Sequence, residues 1–300
     1  MFRRSDHAAA LYLLAVTAGA QPAEPARIGH PDVTVTRHFA MTPGGQLHYR
    51  MAAPVDGAAA VRRPVLALHQ SPNSSQVFVE FIGELARDRL VVAADTPGFG
   101  DSDKPREPPE IADYAEAMHA LLDELGWREV DLVGYHTGAS IATALAERDG
   151  DRIHALLLVG VALFNDAEAD AFFERPWPPP GDFDADFVAR EWQRSKRWQG
   201  PGQSDDSVRR TYLAKLGAGR NAWWGARAVF RDRERLAARL GRLRQPLLIV
   251  SPRDDLWDIT PRAAALRPDA RFETLPDHGF GVFEVIPDVF ATLAREHFDR

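Results

Sequence analysis

The sequence predicts an α/β fold in which a mostly parallel central sheet carries helices on both faces. The first observation is a series of short apolar runs, "PVLALHQ" (64–70), "RLVVAAD" (89–95), "EVDLVGY" (129–135), "RIHALLLVG" (152–160) and "QPLLIVS" (245–251). The second is that helical or polar stretches separate them. Continuous apolar strands alternating with helices imply a parallel sheet buried on both sides. The third is size: 300 residues at 45% hydrophobic content suffice for one large core.

Ahead of these runs, "VTVTRHF" (33–39) and "QLHYRMA" (46–52) flank "AMTPGG", whose Pro and Gly signal a turn between two strands. An opening hairpin is expected there. Between the fourth and fifth apolar runs the composition changes. The segment holds "RPWPPPG" and Trp177, Trp192, Trp198, Trp223 and Trp224, with helical stretches such as "DADFVAREWQRSKRW". It is too long for a plain connection, so residues 164–235 are expected to form a helical cap over a core made of 32–163 and 236–300. Ordinary helix packing accounts for any single one of its tryptophans, while together they have the means to line a pocket.

Residues 1–31 are expected to be a leader. Arg3 and Arg4 precede the apolar "AAALYLLAVTAGA", which ends in Ala18-Gly19-Ala20. That is the layout of a cleavable secretory signal, although Asp6 and His7 depart from it, and an over-extended start would leave a similar stretch. The reading leaves a cytoplasmic or an exported location open. No other segment reaches the roughly 18 apolar residues of a membrane span.

Composition narrows the partners. With 36 Lys+Arg against 43 Asp+Glu the formal charge is -7, and the basic residues are scattered, which argues against nucleic acid. The absence of cysteine excludes disulfides, thiolate metal sites and a cysteine nucleophile. A small molecule is the expected partner; oligomeric state is not legible.

Four pieces carry chemistry. "LHQSPNSS" (68–75) follows a buried strand, where a loop around Gln70 and Ser71 is able to aim N–H groups at a developing oxyanion. "DTPGFGDSDKP" (95–105) is a Gly-rich loop after the next strand. "LVGYHTGAS" (132–140) reads as a sharp strand-to-helix turn with His136 at its centre, Gly134 and Gly138 two residues either side, and Thr137 opening the helix. Last come "VSPRDDLWDIT" and "LPDHGFGVFE", which place Asp254 or Asp255 after a late strand and His278 on a later loop.

In this order the four pieces resemble the α/β-hydrolase superfamily, and "TPGFGDSDKP" resembles its epoxide-hydrolase and haloalkane-dehalogenase branch, which has a helical cap. The resemblance implies a turn of the form Gly-x-nucleophile-x-Gly, followed in the chain by an acid and a histidine. Carried over, His136 stands at the nucleophile position, Asp254 is the acid and His278 the histidine, with Asp255 in reserve. In some members the acid follows the preceding strand, where Asn165 and Asp166 form a second reserve. Gln70, Ser71 and the Thr137 N–H are the expected oxyanion or substrate contacts. His69 is expected to hold that loop rather than to react.

A neutral imidazole presents a lone pair near pH 7, so His136 is expected to attack an acyl group directly, with His278 held by Asp254 deprotonating the water that follows. A variant has a histidine activating water without a covalent intermediate. Metal binding is not expected, because the acid is expected to lie behind His278 and not to converge with His136. The expectation is a cofactor-independent hydrolase of a small apolar ester, lactone or related acyl substrate. The alternatives are a cofactor-free lyase or oxygenase with a His-Asp base, or a non-catalytic binding member of the fold.

Overall fold

The structure is a computed structural model that describes residues 31–55, 62–174 and 184–300. Residues 1–30 of the expected leader and Trp177 lie outside the described residues.

Eight strands form one sheet: β1 (Val33–Thr42), β2 (Gly45–Pro54), β3 (Val65–Leu68), β4 (Val91–Ala94), β5 (Val130–Tyr135), β6 (Ile153–Val159), β7 (Leu247–Pro252) and β8 (Arg271–Leu275). Their order is β1-β2-β4-β3-β5-β6-β7-β8. The expected hairpin is β1–β2, closed by Pro43 and Gly44 with Thr42 opposite Gly45. β2 pairs with β4 antiparallel, and from β4 onward all pairs are parallel.

Strand alternation explains why the inner runs are apolar throughout. Leu66, Leu68, Leu132, Leu156, Leu158 and Ile249 point to one core, whereas Val65, Ala67, Val133, Leu157, Val159 and Val250 point to the other. Both faces are covered, so both parities are mostly apolar, and buried Asp131 on β5 is paired with Arg63 and His154. The first core is covered by α2 (Ile111–Glu124), α3 (Thr137–Arg148), α7 (Trp224–Arg242) and α8 (Thr260–Leu266). The second is covered by α1 (Val79–Leu85), α9 (Val282–Val285) and α10 (Pro287–Phe298).

β8 has no counterpart among the apolar runs. It is an edge strand, "RFETL", half exposed along its length, and so it lacks the continuous apolar signature of its neighbours. Between β6 and β7 the chain forms α4 (Asp166–Phe173), α5 (Ala185–Arg197), α6 (Asp205–Ala218) and α7. α7 runs without a break through residue 235, and its later turns pack on α3 and α8.

Asp95 ties three separate segments together at the carboxyl end of β4. Its buried carboxylate accepts from His48 Nδ1 at 2.8 Å, Ser75 N at 2.6 Å and Asp101 N at 2.9 Å. Burial opposes its charge, yet the hydrogen bonds from His48, Ser75 and Asp101 and the nearby His69 hold its pKa down at about 2. Gly100, at φ +56, is needed beside it, since a Cβ there would lie 2.0 Å from Asp95 Oδ2. Replacing Asp95 with Ala strands two buried donors, His48 Nδ1 and Ser75 N, and the part-buried Asp101 N, at about 1–3 kcal/mol for each buried one, so a loss of about 2 kcal/mol or more is expected in a denaturant titration. The folded pKa lies below the ordinary 3.8, so the stability contributed by the wild-type carboxylate is full at neutral pH. It is lost as pH falls from about 4 through about 2, and this acid sensitivity should be weaker in Asp95→Ala.

Candidate active site

The parallel strands end side by side, and the loops leaving their carboxyl ends build the site where the strand order reverses around β3. β5 delivers His136, which links Tyr135 to the first residue of α3. Its backbone, at φ 49 and ψ -108, makes it the single non-glycine residue with positive φ among the described residues. Such a conformation is costly for an L-residue and persists only where its surroundings enforce it. The enforcement is close packing. A Cβ on Gly138 would fall 1.9 Å from Leu68 O, and one on Gly134 2.6 Å from Gly138 O. Strand, turn and helix therefore touch backbone to backbone, while His136 N donates to Val159 O at 2.9 Å.

The imidazole projects into a cavity of about 680 Å³. His136 Nε2 lies 2.8 Å from Asp254 Oδ2, and the Asp254 side chain is fully buried. Asp254 Oδ1 accepts the Leu256 N–H at 2.9 Å, which fixes the carboxylate. An ionised carboxylate only accepts, so Nε2 carries the proton and Nδ1 is left with a lone pair in the neutral ring. Asp255 Oδ1 stands 3.9 Å from that Nδ1. Half of the Asp255 side chain is open, but it opens onto the cavity, and the crowded walls raise its pKa against the opposing charge of His136.

Burial disfavours the imidazolium of His136, but the charge and hydrogen bond of Asp254, with Asp255 added, outweigh it and raise the pKa above 6.5. The ring therefore holds a proton more readily than a free imidazole. The arrangement of the acid is corrected. Asp254 was expected to hold His278, and it is bonded to His136 instead. His278 is not among the residues lining the cavity; its N–H donates to Leu275 O and its carbonyl accepts from Arg253 N. Two residues on, Phe280 takes the place beside the elbow, with its ring 5.7 Å from that of His136. Asp166 is likewise remote, in the first turn of α4 and paired with Arg233.

Gln70, Ser71 and Thr137 do line the cavity. Ser71 N donates to Thr137 Oγ1 at 3.3 Å, whereas the N–H groups of Gln70 and Thr137 have no acceptor among the described residues. Gln70 Oε1 and Ser71 Oγ are also buried without partners. His69 Nδ1 donates to Gln70 O at 2.9 Å and Nε2 accepts from Thr96 N at 3.0 Å, so this ring pins the loop. Burial lowers its pKa, consistent with a neutral structural ring.

Gly160 was not singled out from sequence. It follows β6 at φ +64, and a Cβ there would lie 2.4 Å from His136 Cδ2, so it makes room for the imidazole. Its one signal is its position at the end of an apolar run. His136, Asp254 and Asp255 offer ligand atoms within 4.8 Å of one another. The two carboxylates flank different ring nitrogens, however, so an ion bound at Nδ1 would meet Asp255 and not the engaged Asp254.

The sequence profile of the α/β hydrolase fold matches residues 63–285, most of the chain. The chain belongs to the α/β-hydrolase fold family. Similar proteins include a soluble epoxide hydrolase of Corynebacterium sp. (strain C12), 30% identical over 125 residues, 42% of this chain and 41% of that protein. A haloalkane dehalogenase of Mesorhizobium japonicum is 32% identical over 146 residues, 49% of this chain and 43% of that protein. The chain thus spans about two fifths of the curated relatives it matches. Among solved α/β-hydrolase structures, a hydrolase from Pseudomonas aeruginosa PA01 superposes with a TM-score of 0.70 at 23% identity, covering 88% of this chain and 98% of that one. An enol-lactonase from Burkholderia xenovorans LB400 does so with 0.67 at 19% identity, covering 88% and 100%. At such identities these two show the fold.

The dyad has a direct test. A proton NMR titration should place the His136 pKa above 6.5, and Asp254→Asn should lower it, because the raising charge is removed while burial remains. By linkage, the dyad's stabilisation is present below pH 6.5 and is lost as pH rises through the folded pKa. An unchanged pKa in Asp254→Asn would contradict the assignment.

Proposed function

We propose that the chain is a hydrolase of small, largely apolar esters, lactones or related acyl compounds, working without a cofactor and with His136–Asp254 as its base. The observation that carries this reading is the 2.8 Å His136–Asp254 contact at the floor of an aromatic-lined cavity, with Nδ1 turned to the side of Asp255. The Nδ1–Asp255 separation of 3.9 Å is too long for a hydrogen bond and suits one water bonded to both groups. In the proposed step Nδ1 takes a proton from that water as its oxygen adds to the acyl carbon. The N–H groups of Gln70 and Thr137 receive the oxyanion, the latter favoured by the N-terminus of α3. The imidazolium then returns the proton to the leaving oxygen, and Asp254 steadies it throughout.

Direct attack by His136 on the acyl group is the less favoured route. It would leave an acyl-imidazolium in need of a second base, a part intended for His278, which does not line the cavity. The helices between β6 and β7, as a cap, would close the cavity with Phe164, Phe172, Phe187, Trp198, Trp223 and Phe230, which favours an apolar substrate body.

A panel of aryl esters, lactones, epoxides and haloalkanes, run with and without a chelator, tests the proposal. Turnover of esters or lactones that survives chelation is expected, and His136→Ala should lower it on the order of 10²-fold or more. Its rate should rise with pH through a pKa above 6.5, since the base form is required. A His136→Ala variant as active as its parent would refute the role of the dyad.

A further inference from the structure

We infer that the acyl substrate carries a carboxylate at the end away from the bond that is cut, and that Arg194, supported by Lys215 and Arg220, receives it. The inference rests on the hydrolase reading above and adds the substrate class. Its starting point is the face that α5 shows to the cavity. Phe187, Glu191, Arg194, Ser195 and Trp198 all line it, at the spacing of one helical face. An apolar ligand alone calls for no charge on that face, and the Arg194 side chain, 48% exposed, leaves its charge open to a ligand in the cavity.

The pairing is incomplete. Lys215 Nζ, from α6, lies 2.5 Å from Glu191 Oε2, and Arg194 Nη1 lies 3.9 Å from Glu191 Oε1. One carboxylate therefore faces two cations. Arg220, on the turn after α6, also lines the cavity and has no ion pair among the described residues. The Arg194 guanidinium makes no hydrogen bond among the described residues, so its donors remain available. Of the other acids of the wall, Glu284 is held by Arg210 at 2.8 Å, and Asp255, beside His136, also faces the charge of Arg194, so Arg194, Lys215 and Arg220 stand against Glu191 and Asp255.

The wall also has an order. The His136 ring lies 5.7 Å from Phe280, and Phe280 lies 5.6 Å from Trp198. Arg194 precedes Trp198 by four residues on α5, about 6 Å along the axis. An extended substrate with its acyl group at His136 and its body along Phe280 and Trp198 would bring its far end to Arg194. Arg binds carboxylate through two parallel N–H bonds, which gives orientation as well as affinity.

Binding and turnover separate this inference from the reading on which it rests. Quenching of tryptophan fluorescence, with Trp198 and Trp223 in the wall, would compare 4-phenylbutanoate with 4-phenylbutan-1-ol on the full chain. About 10-fold tighter binding of the carboxylate is expected, weakening with salt. Arg194→Met should bring the ratio toward one, and Arg194→Lys should keep part of it. Arg194→Gln serves the same purpose if the Met variant folds poorly. In turnover, the monophenyl ester of adipic acid should exceed phenyl hexanoate about 10-fold in kcat/KM, mainly through KM. Carboxylate-selective binding without any hydrolysis would uphold the subsite and defeat the hydrolase reading. Equal binding of acid and alcohol, or a ratio unmoved in the Arg194 variants, would overturn the subsite even if both esters were cleaved.

Discussion

Everything at the site depends on one tight turn. His136 is held at positive φ because β5, β3 and the start of α3 approach so closely that Gly134 and Gly138 have no room for a Cβ. The strain of that turn is borne by the buried sheet on either side, whose strands leave no slack for it to relax. What results is a side chain carried on rigid elements and aimed away from the core. A site built on strand ends and a helix start is placed more accurately than one on free loops.

The same packing decides the chemistry open to the imidazole. With Gly160 clearing space on one side and Asp254 arriving from the end of β7, the ring is turned so that Nε2 meets a buried carboxylate. The hydrogen bond to that carboxylate sets the tautomer and the orientation, while its charge, with the hydrogen bond and Asp255 added, raises the pKa. In the resembling pattern, three residues would share the tasks of nucleophile, base and orienting acid. Here Phe280 stands next to the elbow, and His136 is paired directly with Asp254. That direct pairing is why the proposed reading favours activation of water over a covalent route.

The helices above the sheet hold the other half of the problem. Their cavity face mixes aromatic rings with Glu191, Arg194 and Lys215, so it is built neither as a dry greasy pocket nor as an open polar cleft. A ligand with an apolar body and one charged end satisfies both parts at once. The amphipathic pattern of α5 is visible in the sequence, yet pattern alone does not say whether its charged side meets water or a cavity.

The class of fold, the hairpin before it and the positions of seven of the strands are legible in the chain's local pattern, because burial on two faces forces runs of apolar residues that polar connections interrupt. The elbow is legible too, since two glycines around one larger residue between a strand and a helix answer a steric demand that local spacing reveals. β8 escaped notice because an exposed edge strand is free of that demand. Which loop residue reaches the elbow is settled by packing alone. His278 and Phe280 lie two residues apart on a loop without periodicity, and nothing local fixes which side chain turns inward. Packing alone joined Asp254 to His136 across 118 positions of chain, opened Gly160 beneath the ring and turned Arg194 toward the cavity. Those are long-range contacts, settled when separate elements pack together.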